Sequence, residues 1–180
     1  MKMTLGLVCM VLTAAGCVNC NLNPDEPKTR IGVYDSRAVA IAYVRSEQFD
    51  KIMKAKMAEM EEAKTTGDTQ KIEELEAWGS DHQAKVHRQG FGSAPVDDIL
   101  EQIKDELAEI TKEADVTALV SKWDKKTLKK YKCAEMVDVT DMIVDQFCPD
   151  EKTLKIIEEM KKKKPIPPWQ LEIMTKLEGH

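Results

Sequence analysis

The chain has 180 residues, of which 42% are apolar, 33% are charged and 5% are aromatic. This length suffices for one ordinary domain, or for a small domain with an extended element, and the composition is typical of exposed amphipathic helices. The formal charge is −5, and residues 37–114 alone carry 11 Lys and Arg against 17 Asp and Glu. Because phosphate contacts need a basic face, this charge argues against nucleic-acid binding.

The N-terminal residues 1–16 have the pattern of a secretory signal. Lys2 supplies a positive start, an apolar run follows at residues 5–12, and small residues lead to Cys17. The apolar run is too short to span a bilayer. Residues 14–17 are similar to a bacterial lipobox, apart from alanine at the first position, where leucine is usual. We therefore expect an exported chain that is either lipidated at Cys17 or simply secreted.

Three cysteines remain once the signal and Cys17 are set aside, namely Cys20, Cys133 and Cys148. In an oxidising compartment Cys133 and Cys148 can form a bridge, although a helix between them would hold their ends apart. The alternative is that they are buried free thiols. Because Cys17 and Cys20 form an isolated Cys-x-x-Cys pair, the sequence predicts no zinc site.

A long helical region follows the polar residues 18–29, which we interpret as a tether. Residues 31–34 are predicted to form a short strand, and Asp35 or Ser36 can cap the next helix. That first helix extends from Arg37 to about residue 64, with apolar side chains three and four residues apart. Gly67 supplies the left-handed conformation that ends it.

The chain then returns in a second helix that starts near Ile72. A connection as short as residues 65–69 favours an antiparallel helical hairpin. Two glycines and a proline within residues 89–95 must break or kink the returning helix. Beyond this break, residues 96–114 carry the clearest amphipathic stripe of the chain, which we expect to pack against the root of the first helix.

The last third of the chain is predicted to combine short strands and helices. Residues 116–123 and 128–133 have the pattern of two strands joined by a turn. Residues 137–147 are predicted to form a short helix, and Pro149 opens a further helix. We expect residues 165–169 to be extended, with their tryptophan docked on a surface or on a partner chain.

The residues that could support catalysis are few and scattered. His82 and His87 lie five positions apart on an exposed helix, so they point in different directions, and His180 is terminal. The glutamate clusters on the helices have no apolar pocket around them that would shift their pKa values. The sequence also has no Gly-rich phosphate loop and no nucleophile elbow. We therefore predict a protein that is not an enzyme and that has no cofactor or metal.

Three of the ten methionines, Met53, Met57 and Met60, lie on the first helix. Flexible, polarizable side chains can contact many apolar partners without a fixed fit. These methionines either fill the seam between the two long helices or form a surface for promiscuous binding. The candidate contact residues for a bound chain are Met53, Met57, Met60, Trp78 and Phe91.

Three stretches together resemble the Skp (OmpH) family of periplasmic chaperones. They are Ile-Gly-Val-Tyr-Asp-Ser-Arg-Ala at residues 31–38, Ala-Asp-Val-Thr-Ala-Leu-Val at residues 114–120 and Val-Asp-Val-Thr-Asp-Met-Ile-Val at residues 137–144. The resemblance covers residues 30–148. It implies a homotrimer whose strands combine into a central barrel, with helical arms that enclose unfolded outer-membrane or other exported proteins without ATP. The barrel residues implied in this way are Ile31, Val33, Leu119, Val120 and Tyr131.

The sequence thus predicts an α+β protein with a small β-body and a long antiparallel helical-hairpin arm. Its predicted divisions are residues 1–16 as signal, 17–29 as tether, 30–36 and 115–148 as β-body, 37–114 as arm, and 149–180 as a C-terminal helix and Pro-rich extension. The expected function is a holdase-type chaperone of the periplasm. The alternative is a scaffold lipoprotein of the same trimeric architecture, tethered through Cys17 to the periplasmic face of the outer membrane.

Overall fold

The computed structural model describes residues 28–178, with side chains for residues 28–174. The strands are β1 (Arg30–Tyr34), β2 (Leu119–Ser121) and β3 (Glu135–Asp138). The helices are α1 (Ser36–Val44), α2 (Glu47–Thr66), α3 (Thr69–Gly90), α4 (Asp97–Leu100), α5 (Lys104–Glu113), α6 (Lys125–Leu128), α7 (Thr140–Asp145), α8 (Glu151–Lys161) and α9 (Pro168–Glu178). Short 3₁₀ helices follow α4 at Glu101–Ile103 and α6 at Lys129–Tyr131. This mixture of helix and sheet is compatible with the predicted α+β class. The predicted signal and Cys17 lie outside the described residues.

The three strands are parallel and lie in the order β2-β1-β3, so β1 is the central strand. Gly32 in β1 lies opposite Leu119 in β2 and Val137 in β3. A Cβ atom at Gly32 would lie 2.7 Å from Leu119 Cδ2 and 3.2 Å from methyl groups of Val116 and Val139. Glycine therefore lets the flanking side chains close over the middle of the sheet.

Helix α1 lies at the centre of the hydrophobic core. Eight of its nine residues are buried, and the helix contacts α3, α7 and α8. Small side chains at Ala38, Ala40 and Ala42 favour the helical conformation and leave room for these neighbours. Tyr43 packs edge-on against Phe147, with ring centroids 5.8 Å apart. The first helix after β1 is therefore a core element on nearly all its faces.

The amphipathic segment after the Gly-rich break packs into this core as expected. Helix α3 ends at Gly90, and α4 and α5 follow beyond Pro95. Val96, Ile99 and Ile103 are each no more than 2% exposed, and they belong to the same cluster as the α1 side chains. The prediction that this stripe packs against the beginning of the helical region is confirmed.

The predicted first helix is divided in two by Ser46. Its hydroxyl accepts a hydrogen bond from the Phe49 N–H at 3.3 Å and donates one to the Tyr43 carbonyl oxygen at 2.6 Å. These bonds satisfy one free donor at the start of α2 and one free acceptor at the end of α1. The prediction of one continuous helix over residues 37–64 is therefore wrong at this position.

Helices α2 and α3 are the longest in the described residues, with 20 and 22 residues, and they bury little of their surface. Within α2, Ala63 is the residue that is buried. Gly67 separates the helices with a φ of 72°, and Asp68 caps α3 by accepting a hydrogen bond from the Lys71 N–H at 3.0 Å. The predicted chain reversal at Gly67 thus has its expected local conformation.

The strand predicted over residues 128–133 is wrong. Leu128 ends α6, and a 3₁₀ helix occupies Lys129–Tyr131. Asp124 favours this conformation because its carboxylate accepts a hydrogen bond from the Thr127 N–H at 3.0 Å. The third strand is instead Glu135–Asp138, which pairs with β1 and overlaps the start of the helix predicted over residues 137–147. A parallel neighbour requires a crossover, which residues 122–134 supply.

The C-terminal part begins with the predicted helix at Asp150. The Asp150 carboxylate accepts a hydrogen bond from the Thr153 N–H at 2.7 Å and so caps α8. Residues 165–169 were expected to be extended, but α9 begins at Pro168, a residue type that is well suited to a helix start. Trp169 is 64% exposed and does not dock on the body of the protein.

Gly67, which ends α2, and Gly79, in the middle of α3, should respond in opposite directions to the same substitution. Gly67→Ala places a Cβ in the left-handed region and should lower the free energy of unfolding by about 1–2 kcal/mol. Gly79→Ala, in the middle of α3 with no atom within 4 Å of the added Cβ, should raise it by about 0.5–1 kcal/mol. Urea denaturation of both variants measures this, and shifts of the same sign would contradict the assigned conformations.

Candidate functional site

An apolar groove of about 290 Å³ lies between α2 and α3. Its apolar lining residues are Met53, Met57, Met60, Leu75 and Trp78. The methionines are four and three positions apart on α2, and the other two side chains are three positions apart on α3, so each set lies on one helix face. Met57 is 65% exposed. The groove is therefore an open apolar surface outside the hydrophobic core.

A stack of three aromatic rings fixes one end of the groove. The Trp78 and His82 rings of α3 are parallel to within 13°, with centroids 4.7 Å apart. Phe49 of α2 stacks on His82 with a centroid distance of 5.6 Å. Phe49 also packs edge-on against Tyr43 at 5.4 Å. The stack therefore connects the groove to the core around α1.

His82 takes part in this stack as a neutral ring. Burial lowers the pKa of His82, the Lys85 charge lowers it further, and Asp98 acts in the opposite direction. Its Nε2 atom is buried without a hydrogen-bond partner. A neutral imidazole between two aromatic rings contributes apolar surface, so His82 supports Trp78, which lines the groove.

Charged side chains of both signs border the groove. Lys56 and Glu59 form a 2.9 Å ion pair on α2, and Glu59 also lies 3.8 Å from the Lys71 ammonium on α3. The hydrogen bond from Lys56 lowers the pKa of Glu59. Lys56 also lies over the Trp78 ring, 5.6 Å from its centroid. These contacts hold the two helices together beside the groove without closing it.

A second cluster of functional groups surrounds Asp35 at the carboxyl end of β1. The Asp35 side chain is fully buried, and Arg37 binds both its oxygens through Nε at 3.2 Å and through a terminal nitrogen at 3.1 Å. The Lys122 ammonium lies 2.6 Å from Oδ2, and Trp123 Nε1 donates to Oδ1 at 2.8 Å. The Arg37 guanidinium also stacks 4.7 Å from the Trp123 ring centroid.

The Asp35 cluster is structural in character. Burial alone would raise the pKa of Asp35, but the hydrogen bonds from Arg37, Lys122 and Trp123 outweigh it and hold that pKa below its usual value. The Arg37 backbone N–H donates as well, at 3.1 Å. Since five donors occupy the carboxylate, Asp35 offers no free acceptor for a reacting group.

The structure brings four of the five predicted contact residues together. Met53, Met57, Met60 and Trp78 line the groove, whereas Phe91 lies beyond the end of α3 and packs edge-on against His87. Of the predicted barrel residues, Ile31, Val33, Leu119 and Val120 lie on adjacent strands and Tyr131 lies in the 3₁₀ helix after α6.

The two cysteines in the described residues do not form a bridge with each other. Cys148 carries a free thiol and is exposed, with a φ of 48°. Cys133 is disulfide-bonded. The expected alternative, two buried free thiols, is therefore also wrong.

The sequence interpretation did not identify Leu75 or the Asp35 cluster as part of a site. Leu75 could have been predicted as a groove residue, because it lies three positions before Trp78 on the same helix face. The signal for the cluster was the polar run Asp-Ser-Arg directly after an apolar strand. Its partners Lys122 and Trp123 come from more than eighty positions away, and only the folded chain brings them to Asp35.

Comparisons with known proteins returned no match to a family model, a curated protein or a solved structure. Within the described residues, no group of three or more His, Cys, Asp or Glu side chains is placed to hold a metal ion. None of the helices in residues 28–178 combines the length and the apolar character that are needed to cross a bilayer.

The buried charge cluster should dominate the response of stability to one isosteric substitution. Asp35→Asn leaves Arg37 buried without its counter-ion and should lower the free energy of unfolding by about 3–5 kcal/mol in urea denaturation. Asp105→Asn, on the exposed surface of α5, is the control and should change it by no more than about 0.5 kcal/mol.

The same cluster also determines how the free energy of unfolding should change with pH. Because the pKa of Asp35 is lowered in the folded protein, its contribution is present above the unfolded value of about 3.9 and is lost as the pH falls through the folded value. The wild type should therefore lose stability below about pH 4 more steeply than Asp35→Asn, and equal acid sensitivity would contradict the assignment.

Proposed function

We propose that the protein is a holdase-type chaperone that binds apolar stretches of unfolded exported proteins in the groove between α2 and α3. The observation that carries this proposal is a methionine-lined groove on two long helices that bury little else. Methionine is flexible and polarizable, so one surface can accommodate side chains of different shapes. Such a surface suits a protein that must bind many sequences.

Three features support a holding role. The groove is open, with Met57 at its surface, so a bound chain can enter and leave without a large rearrangement. Its border carries Lys56 and Glu61, so flanking residues of either charge can be accommodated. Each groove offers a weak contact, and several weak contacts on one client combine into stable retention without an energy source.

In this proposal α2 and α3 form an antiparallel helical-hairpin arm. The contacts between the helices support this arrangement, because Phe49 meets His82 and Glu59 meets Lys71, so the paired positions converge on Gly67. The stack of Phe49, His82 and Trp78 then forms the root of the arm. Between this stack and Gly67, the buried residues of the two helices are Ala63 and Leu75, so this part of the arm is suited to adapt to a client.

We further propose that three copies assemble through their sheet edges. Strands β2 and β3 each have one neighbour within the described residues, and an unpaired edge is a template for another strand. Met136 on β3 is 45% exposed, which adds apolar surface at this edge. Three arms around one axis would supply the multiple contacts that holding requires.

A scaffold that docks one folded partner is the second candidate function. It is favoured by the exposed apolar residues of α9, where Trp169 is 64% and Ile173 is 51% exposed at a spacing of one helical turn. The two functions use different surfaces, so a substitution on α9 is also the matched control for the groove.

The holdase proposal predicts that the full chain suppresses aggregation when a urea-denatured outer-membrane barrel protein is diluted into buffer, as measured by light scattering. Met57→Asp places a charge in the groove and should weaken client binding by about tenfold or more, since it removes the burial of one apolar side chain. Trp169→Asp makes the same change outside the groove and should retain full suppression. Absence of suppression by the wild type, or equal loss in both variants, would overturn the proposal.

The assembly proposal predicts a particle mass of about three times the 20.3 kDa of one chain by light scattering after size-exclusion chromatography. Met136→Lys introduces a charge at the proposed edge and should shift the mass towards that of one chain. Leu154→Lys, at a 40% exposed position on α8, is the control and should leave the mass unchanged. A single-chain mass for the wild type would exclude the assembly.

A further inference from the structure

A cavity of about 380 Å³ lies at the carboxyl ends of β1 and β2 and shares no residue with the groove. Tyr34 at the end of β1, Ser121 at the end of β2 and the following Trp123 form one side. Residues 93–97, which enter α4, form the other side. The cavity is large enough for one small organic group.

The cavity lies at the carboxyl end of a parallel sheet. The chain moves from β1 to β2 through α1 to α5, and then from β2 across β1 to β3 through α6. Crossovers between parallel strands are right-handed, so two crossovers that move in opposite directions lie on opposite faces of the sheet. The switch point of this strand order lies between β1 and β3, and the cavity lies beside it, at the carboxyl ends of β1 and β2.

Two polar groups face this cavity without a partner. Tyr34 is 6% exposed, and its hydroxyl makes no hydrogen bond to another described residue. Asp97 is exposed, and its carboxylate makes no ion pair or hydrogen bond with another described residue. Burial, Asp97 and Asp124 together raise the pKa of Tyr34 to about 12, so the phenol is neutral at pH 7. The neutral phenol can donate and accept a hydrogen bond, and the carboxylate can accept one.

The charge balance indicates what kind of donor fits. The residues that line the cavity include two carboxylates, Asp97 and Asp124, and no lysine, arginine or histidine. Asp124 is occupied as the cap of α6, accepting from the Thr127 N–H. Behind Trp123, the Asp35 cluster contains two cations for one carboxylate, which offsets one of the two negative charges. Asp97 is exposed and has no ion pair, so it gives the rim of the cavity a negative charge that favours a cation.

We propose that this cavity binds a singly charged organic cation, a primary ammonium or a guanidinium group, held by Asp97 and the Tyr34 hydroxyl. The apolar residues Val96, Leu119 and Val120 also line the cavity and fit an aliphatic chain attached to the charged group. Such a ligand is either a free small amine or the lysine or arginine side chain of a partner protein. The binding site is independent of the holdase proposal.

The first experiment compares n-butylammonium with n-butanol, its neutral counterpart of the same shape, by titration calorimetry on the full chain. We expect saturable binding of the cation at about millimolar affinity and none of the alcohol in that range. Asp97→Asn and Tyr34→Phe should each weaken cation binding, the former by about tenfold because a charge-assisted contact is lost. Asp105→Asn, an exposed acidic residue outside the cavity, should bind like the wild type.

The site is excluded if butanol binds as tightly as butylammonium, if Asp97→Asn leaves the affinity for butylammonium unchanged, or if the wild type shows no saturable binding below about 10 mM. Circular dichroism confirms that each variant is folded before it is titrated. A peptide with one central lysine between glycine and serine residues then identifies the source of the cation. Tighter binding of the peptide than of butylammonium indicates a partner's basic side chain, and tighter binding of butylammonium indicates a free amine.

Discussion

One buried carboxylate determines how the core elements of this protein are arranged. Asp35 ends the central strand, starts α1, and accepts hydrogen bonds from Lys122 and Trp123 beyond β2. Its own N–H donates to the Thr140 hydroxyl at the start of α7, at 3.0 Å. Arg37, which neutralises it, donates to the Lys163 carbonyl oxygen beyond α8, at 3.0 Å. A buried charge is stable only when it is paired and hydrogen-bonded, so these contacts fix the positions of the segments that supply them.

Helices α2 and α3 are subject to a weaker constraint than the core elements. Their contacts are a stack of aromatic rings at one end and ion pairs between exposed side chains along their length, and such ion pairs contribute little stability. Neither the aromatic stack nor these ion pairs involve the methionines between the two helices. A rigid centre with an adaptable pair of helices suits a protein that holds varied chains, whereas the cavity beside Tyr34 is bounded by core strands and suits one small charged group.

The interpretation of the sequence was most accurate where local signals are strong. Gly67 ends α2, Asp150 caps α8, and Met53, Met57 and Met60 lie on one helix face, as their spacing predicts. It was wrong where two conformations compete locally. Residues 130–133 alternate in a way that fits a strand, but Leu128 and Tyr131 are also three positions apart, and the Asp124 cap favours helix. A short strand such as β3 is recognisable only through its pairing with β1.

The sequence by itself determined the turn at Gly67, the start of α8 at Asp150, the amphipathic stripe over residues 96–114 and the methionine face, because each depends on interactions between residues a few positions apart. Tertiary structure alone decided the parallel strand order, the partners of Asp35 and the position of Tyr34 and Asp97 beside one cavity. These depend on contacts between residues more than sixty positions apart. No local pattern encodes such contacts, since they arise only when the crossovers bring the carboxyl ends of the strands together.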